Sequence, residues 1–148
     1  MKYMKIKELT SLSTAESCTG GAIASKIVAK SGASAYFKGG IVAYSNQAKA
    51  EILGVSPVLL KKYGAVSSQV VLAMAEGASK VFHTEYAIAT SGIAGPLGGT
   101  PKKPVGLVWF GIKTPNKLVA KKFIFKGSRS AVIRQARDRA LKLLEELS

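Results

Sequence analysis

The sequence predicts an α/β fold, a three-layer α/β/α sandwich built on a mixed β-sheet. Short apolar segments with strand character alternate with segments whose apolar residues recur every three or four positions, which is typical of helices covering a sheet. Late in the chain, the apolar segments VGLVWFGIK and LVAKKFIFK are separated only by TPNK, which predicts an antiparallel hairpin. Because the hairpin adds antiparallel strands to an otherwise alternating pattern, the predicted sheet is mixed.

The first half of the chain is predicted to begin with a strand over Ser11 to Thr14 and a helix over Thr19 to Lys30. The glycine pair of TGG then falls in the first turn of that helix. GIVAYS predicts a second strand, and NQAKAEILGV predicts a short helix that begins near Asn46. Another short helix is expected from Ser56 to Gly64, because serine before proline is typical of a helix start and glycine of a helix end.

The second half is predicted to begin with the most regular helix. Ser67 opens it, and apolar residues from Val70 to Phe82 recur at three- and four-residue steps. YAIATS predicts a buried strand, and the following GIAGPLGGTPKKP is too rich in glycine and proline for a helix or a strand. After the hairpin, the last helix is predicted over Ser130 to Leu147. The only histidine, His83, ends the Ser67 helix, where a surface or capping role is expected.

The composition narrows the class of protein. The 148 residues are 47% hydrophobic, and we expect a single domain over residues 1–148 with a core of its own. No apolar segment is long enough to span a membrane and the start lacks the features of a secretion signal, so a cytoplasmic location is expected. The 22 basic and 8 acidic residues give a net charge of +14, which favours anionic partners such as nucleic acid or a phosphorylated small molecule.

Few side-chain combinations in this chain are suited to catalysis. Cys18, His83 and Asp138 are the only residues of their types, which is too few for a zinc cage and disfavours both a Ser-His-Asp triad and a magnesium site built on carboxylates. We therefore predict a site without metal or other cofactor. If the protein is an enzyme, lysine or tyrosine must transfer the proton.

The segment AESCTGG places Ser17, Cys18 and Thr19 between a predicted strand and a predicted helix. The N–H groups at a helix start are unpaired and lie at the positive end of the helix dipole, so they can stabilise an oxyanion beside Ser17. The alternative is that Ser17 or Thr19 only caps the helix. Cys18 is the weaker candidate nucleophile, because no histidine is available to activate it.

Two further segments follow predicted strands, at the kind of sheet edge where α/β folds bind ligands. YSNQAK provides Tyr44 and Lys49, and a lysine can act as a base when burial or neighbouring cations lower its pKa. The alternative for Lys49 is an ordinary exposed helix lysine. TSGIAGPLGGT offers approachable backbone N–H groups for a phosphate or a planar amide, although it matches neither a P-loop nor a dinucleotide-binding motif.

Several spaced motifs resemble, in the same order, those of the CinA C-terminal domain family, which includes nicotinamide-nucleotide amidases. They are AESCTGG, SGASAYFKGGIVAYSNQAK, GAVSSQV, MAEGA, SGIAGPLGGTPKKPVG and GSRSAVIRQA. The resemblance runs from about Thr14 to the C-terminus. It implies an α/β/α sandwich that hydrolyses nicotinamide mononucleotide to nicotinic acid mononucleotide and ammonia without a metal, as a part of pyridine nucleotide salvage.

The resemblance also implies roles for individual residues. Ser17 is expected to be the nucleophile, Lys49 its base and Tyr44 a group that supports the pair. The residues expected to bind the nucleotide are Thr19, Gly20, Gly32, Ser34, Ser91, Gly92 and either Arg129 or Arg134. An arginine suits the phosphate because its planar fork can bind two oxygens at once.

The family carries a helix before the first strand, and only MKYMKIKELTSL remains for it here. A shortened helix is therefore expected, which leaves one sheet face either open or covered by another subunit, and a homo-oligomer is expected. Two alternatives to the amidase stay open. One is a nucleotide-binding module of the same fold without turnover, and the other is a nucleic-acid-binding protein, which is disfavoured because no platform of aromatic and basic residues is found.

Overall fold

The structure is a computed structural model and describes residues 4–148. One sheet contains the strands β1 (Leu12–Glu16), β2 (Phe37–Val42), β3 (Tyr86–Gly92), β4 (Leu107–Lys113) and β5 (Leu118–Ile124). Their order across the sheet is β2-β1-β3-β4-β5. β1 runs parallel to β2 and β3, whereas β4 runs antiparallel to β3 and β5. The predicted mixed sheet and its hairpin are therefore confirmed.

The α-helices of the described residues cover both faces of this sheet. They are α1 (Ala22–Val28), α2 (Asn46–Glu51), α3 (Pro57–Tyr63), α4 (Ser68–Phe82) and α5 (Arg129–Leu147). α1 and α5 pack on one face, where Ile23 and Val132 share an apolar cluster with Ile88 of β3. α4 packs on the other face, where Met74 lies in a cluster with Ala89. Because the sheet lies between two helical layers, the predicted α/β/α sandwich is confirmed.

Serine side chains cap most of these helices, and the sequence predicts the helix starts at Ser56 and Ser67. Ser45, Ser56, Ser67 and Ser128 each accept a hydrogen bond from a backbone N–H in the first turn of α2, α3, α4 and α5, respectively. His83 ends α4 in the left-handed conformation with φ of 55°, which confirms its capping position. The helix boundaries in the second half of the chain therefore follow from local sequence.

Several predicted boundaries in the first half are wrong. β1 ends at Glu16 rather than at Thr14, and β2 begins at Phe37 rather than at Gly40. Two further differences affect the connections near the end of β1. α1 begins only at Ala22, because Gly20 and Gly21 adopt left-handed φ angles of 57° and 100° in a turn that precedes the helix. The second strand ends at Val42 rather than at Ser45. Ser45 lies outside the sheet and caps α2. Both shifts lengthen the connections at the edge of the sheet where β1 and β2 end.

The segment before β1 contains a short 3-10 turn at Ile6–Glu8. The first three residues of the expected shortened helix lie outside the described residues. The glycine- and proline-rich segment after β3 forms a loop without helix or strand, as predicted, and its ends are joined by a hydrogen bond from the N–H of Gly106 to the carbonyl of Ile93. Within residues 4–148, no helix is long and apolar enough to cross a membrane.

Candidate active site

Ser17 lies at the carboxyl end of β1, where three parallel strands end at the same edge of the sheet. β2 leads from this edge to Tyr44, and β3 ends beside it with Ser91 and Gly92. The N–H of Ser17 donates to the carbonyl of Thr90 at 3.0 Å, which ties the residue to β3. The parallel part of the sheet therefore brings together segments that are far apart in sequence.

Lys49 is one of the largest fully buried side chains of the described residues, and it contacts Ser17 directly. Its Nζ lies 2.9 Å from Ser17 Oγ and donates to the carbonyl of Tyr44 at 3.1 Å. Only 1% of the Lys49 surface is exposed. The Ser45 cap starts α2, and Lys49 lies in the last turn of this short helix, with its amine at the end of β1. Lys49 is therefore not an exposed helix lysine.

Burial lowers the pKa of Lys49 below its ordinary value, with a smaller opposing effect from Cys18. Transfer from water to a poorly solvated site disfavours the charged ammonium, so the neutral amine becomes accessible at a lower pH. A neutral amine can accept the proton of the hydroxyl beside it. The predicted lowering of the Lys49 pKa is therefore present, and burial is its cause.

Cys18 lies next to Ser17 and lines the same cleft, but the pKa of its thiol is raised, whereas that of Lys49 is lowered. Burial raises the pKa of Cys18 to about 12, with a further increase from the charge of Glu16. The thiol therefore stays protonated near neutral pH, and only the thiolate is a strong nucleophile. This environment favours Ser17 over Cys18.

The start of α1 does not present its N–H groups to the cleft in the way we expected. The N–H groups of Gly21, Ile23 and Ala24 donate to the buried carboxylate of Glu16 at 3.2, 2.9 and 3.0 Å. The expectation of unpaired helix-start donors is therefore wrong for these three groups. Since Glu16 takes the capping position, the contacts of Ser17 Oγ are to Lys49 and, at 3.5 Å, to the carbonyl of Tyr44.

The turn between Glu16 and α1 nevertheless keeps free donors. Gly20 N–H donates to the carbonyl of Ser17, and Ala22 N–H donates to that of Thr19. The N–H groups of Cys18 and Thr19, in contrast, have no acceptor among the described residues. They belong to the two residues that directly follow Ser17.

A cleft of about 280 Å³ surrounds the Ser17–Lys49 contact. Arg129, at the start of α5, lies on its rim and is fixed by two hydrogen bonds. One guanidinium nitrogen donates to the carbonyl of Gly95 at 2.6 Å and the other to the hydroxyl of Tyr44 at 3.0 Å. Arg129 thereby joins the β3–β4 loop to the segment after β2 across the mouth of the cleft.

The structure brings together only some of the residues implied by the family resemblance. Those that line the cleft are Ser17, Lys49, Tyr44, Ser91, Gly92 and Arg129. Tyr44 is 61% exposed and meets the serine–lysine pair through its backbone carbonyl, whereas its phenol meets Arg129. Among the two candidate arginines, it is Arg129 that lies in the cleft.

The other implied residues lie elsewhere. Gly32 and Ser34 line a separate surface depression with Val28 and Phe37. Arg134 is exposed on α5, where its charge helps lower the pKa of Asp138. Thr19 is buried beneath the turn and bonded to Glu16 and Thr90, and Gly20 is an exposed residue of that turn.

Sequence reasoning missed two features of the site. Glu16 was not considered, although an acidic residue just before a helix start is a known capping pattern and could have been noticed. Leu97, at the tip of the β3–β4 loop, lines the cleft while 85% exposed, and only the loop conformation reveals its position. In the part of the chain that the structure describes, no group of three His, Cys, Asp or Glu side chains is arranged to hold a metal ion.

Fold and site together define an α/β/α protein with a buried serine–lysine contact in an arginine-rimmed cleft. The family model of the CinA C-terminal domain matches residues 2–148. The chain belongs to the CinA C-terminal domain family.

Relatives of two lengths match the chain. It is 48% identical over 134 residues to the nicotinamide-nucleotide amidohydrolase PncC of Escherichia coli K12, which covers 90% of this chain and 81% of that protein. It is also 48% identical over 127 residues to a CinA-like protein of Fervidobacterium nodosum, covering 86% of this chain and 31% of that protein. The chain thus spans about a third of the length of the longer curated relatives.

A solved structure supports the same fold. The crystal structure of the competence/damage inducible protein CihA from Agrobacterium tumefaciens matches with a TM-score of 0.90 and 40% sequence identity. The match covers 93% of this chain and 85% of that one. The sandwich architecture is therefore that of the family.

Proposed function

We propose that this protein is an amidohydrolase that converts nicotinamide mononucleotide to nicotinic acid mononucleotide and ammonia, as a step of pyridine nucleotide salvage. The observation that carries the proposal is the 2.9 Å contact between Lys49 Nζ and Ser17 Oγ in a cleft that Arg129 also lines. The identity of 48% to PncC, over 90% of this chain, supports the choice of substrate.

Ser17 is the nucleophile in this proposal, and Lys49 is the general base. Because burial lowers its pKa, Lys49 can hold a neutral amine that accepts the hydroxyl proton while Oγ attacks the carboxamide carbon. The ammonium then gives this proton to the amide nitrogen, the C–N bond breaks, and ammonia leaves. A water molecule deprotonated by the same amine attacks the acyl-enzyme, releases the acid and restores the serine hydroxyl.

The tetrahedral intermediates carry a negative charge on the former carboxamide oxygen. The N–H groups of Cys18 and Thr19 are the proposed donors to this oxygen, because they follow the nucleophile directly and have no acceptor among the described residues. Backbone donors that are fixed before the reaction stabilise the developing charge with little reorganisation. The N–H of the residue after a serine nucleophile serves this purpose in other hydrolases as well.

Arg129 is the proposed ligand of the substrate phosphate. Its contacts with the Gly95 carbonyl and the Tyr44 hydroxyl hold the guanidinium on the cleft and leave further N–H groups for phosphate oxygens. The net charge of +14 adds a long-range attraction for an anionic substrate. The proposed site therefore separates the reacting carboxamide, at Ser17, from the recognised phosphate, at Arg129.

The direct test is ammonia release from nicotinamide mononucleotide by the purified protein. We expect equal amounts of ammonia and nicotinic acid mononucleotide, and we expect the rate to persist in the presence of a metal chelator. Nicotinamide riboside, which has the same carboxamide without the phosphate, should require a much higher concentration. Loss of turnover with chelator, restored by a divalent ion, would contradict the metal-free mechanism.

The same preparation distinguishes the alternatives. Calorimetric binding of the mononucleotide without any ammonia release would favour a nucleotide-binding module that does not catalyse. Binding to duplex nucleic acid that falls steeply with salt, and with which the mononucleotide does not compete, would favour a nucleic-acid-binding protein.

A further inference from the structure

Glu16 is a buried carboxylate directly before the proposed nucleophile. Only 1% of its surface is exposed, and its two oxygens accept four hydrogen bonds, two from the turn that follows and two from the first turn of α1. The donors are the Thr19 hydroxyl and the N–H groups of Gly21, Ile23 and Ala24. Among the described residues no lysine or arginine forms an ion pair with Glu16, so the positive start of α1 compensates its charge.

The hydrogen bonds continue from this turn to β3. Thr19 donates its proton to Glu16 Oε1 at 2.6 Å, so the 2.8 Å contact between Thr19 Oγ1 and Thr90 Oγ1 is donated by Thr90. The carbonyl of Thr90 accepts the N–H of Ser17 at 3.0 Å. Hydrogen bonds therefore connect Glu16, Thr19 and Thr90 to one another and to the turn that carries the nucleophile. We call these three residues the nucleophile-turn network.

We infer that Glu16 is a positioning residue, which through the nucleophile-turn network holds Ser17 Oγ against Lys49 Nζ and holds the N–H groups of Cys18 and Thr19 beside it. Glu16 does not line the cleft, so it acts through the turn and not on the substrate. The inference rests on the proposed function, because it takes Ser17 as the nucleophile.

The local backbone makes such anchoring necessary. Gly20 and Gly21 follow Ser17 closely, have no side chains and adopt left-handed φ angles, so this turn depends on hydrogen bonds to keep its conformation. Nucleophilic attack tolerates little displacement, and an error of about 1 Å costs on the order of 100-fold in rate. A carboxylate that binds two donors of the turn and two donors of the first turn of α1 restricts displacements of this size.

Two substitutions probe the network. Glu16→Gln keeps one acceptor oxygen but replaces the other by an NH2 group, which is a donor and faces the N–H groups of α1. We therefore expect the turn to shift and kcat to fall by about 100-fold. Thr19→Val keeps the shape of the side chain but breaks the contact between Glu16 and Thr90, and we expect a smaller fall in kcat. Neither should change KM much, because Arg129 is left in place.

Two rates should be measured for each variant, at temperatures well below its own Tm. One is ammonia release, and the other is the rate at which a fluorophosphonate labels Ser17, followed by mass spectrometry. The control is Ser56→Ala, which removes the N-cap of α3 at a position that does not line the cleft. This control should lower Tm while both rates per folded molecule stay at the wild-type value.

The outcomes separate the inference from the proposed function. Wild-type kcat and labelling rates in Glu16→Gln and Thr19→Val would overturn the positioning role, whatever their Tm values. If Glu16→Gln does not fold, Thr19→Val, with Thr19→Ser expected to restore much of its lost rate, decides the question. A wild-type protein that labels at Ser17 but releases no ammonia would contradict the proposed substrate, and slower labelling in the variants would still support the positioning role.

Discussion

Glu16 and Lys49 are both only 1% exposed, and both contact the Ser17 segment, but the protein compensates their charges very differently. Four hydrogen-bond donors surround the carboxylate of Glu16. Among the described residues, the hydrogen-bond partners of the Lys49 amine are, in contrast, the hydroxyl of Ser17 and the carbonyl of Tyr44, and burial lowers the pKa of Lys49.

This difference suits Glu16 to a structural role and Lys49 to proton transfer. A buried carboxylate that accepts four hydrogen bonds from nearby groups of the chain stabilises one backbone conformation. A buried amine with two neutral partners is stabilised poorly as an ammonium, so it can give up its proton and take another. We therefore expect substitutions of Lys49 to affect the chemical step and substitutions of Glu16 to affect the position of Ser17.

The largest expected effect on catalysis comes from removing the Ser17 hydroxyl or the Lys49 amine. Lys49→Ala should lower kcat by about 100- to 10,000-fold, the usual contribution of a general base. Ser17→Ala should cost at least as much, and the double variant should be little worse than either single one, because both belong to one proton-transfer unit. The measurement is steady-state ammonia release by the three variants.

Two control variants sharpen this prediction. Lys49→Arg should be nearly as inactive as Lys49→Ala, because a guanidinium keeps its proton, and Ser17→Cys is expected to retain little activity. Binding of the mononucleotide to Ser17→Ala should stay near the wild-type affinity in calorimetry. Full activity in Ser17→Ala would end the serine-nucleophile hypothesis.

The next effect concerns recognition of the phosphate. Arg129→Ala should raise KM for the mononucleotide by about 10- to 100-fold, since a hydrogen bond to a charged group contributes about 1.5–3 kcal/mol. KM for nicotinamide riboside should hardly change, because this substrate has no phosphate. Arg134→Ala is the matched control on the same helix, and equal effects of the two substitutions on KM would contradict the assignment to Arg129.

Much of the fold follows from local sequence, but one feature of the site does not. The helix starts at Ser56 and Ser67, the glycine- and proline-rich loop and the hairpin are each determined by a few neighbouring residues, and the structure confirms all of them. The late start of α1 was missed, because a glycine pair fits a first helical turn as well as a left-handed turn.

The site shows the same division between local and long-range information. The pairing of Ser17 with Lys49 was suggested by the family resemblance, and the contact itself depends on parallel strands that meet at one sheet edge. The choice between Arg129 and Arg134 depends on how α5 lies against the β3–β4 loop, which no local pattern encodes. Gly32 and Ser34 line a different depression from the cleft, and the resemblance did not reveal this separation.

A smaller effect is expected in stability. Below the lowered pKa of Lys49, the folded wild type buries an ammonium, and Lys49→Met removes this penalty. As pH rises from that pKa towards 10.5, the folded wild type releases a proton that the unfolded chain retains, so the wild type gains stability relative to Lys49→Met.

The measurement is the difference in the free energy of unfolding between Lys49→Met and wild type, from urea titrations at several pH values. This difference should fall across that window and be constant on either side of it. Lys61→Met, at an exposed position of α3, is the control and should differ from wild type by an amount that does not depend on pH. A pH-independent difference for Lys49→Met would contradict the lowered pKa.

The smallest effect is expected for Tyr44→Phe, which separates the two ways in which Tyr44 reaches the site. The substitution leaves the carbonyl that accepts from Lys49 Nζ and removes only the hydroxyl that accepts from Arg129. An exposed hydrogen bond of this kind contributes about 0.5–1.5 kcal/mol, so KM for the mononucleotide should rise a few-fold while kcat stays close to wild type. Combined with Arg129→Ala, the substitution should add little further loss, because the hydroxyl then has no guanidinium to hold. A large fall in kcat with an unchanged KM would instead assign the phenol to the proton-transfer unit of Ser17 and Lys49, the supporting role that the family resemblance implies.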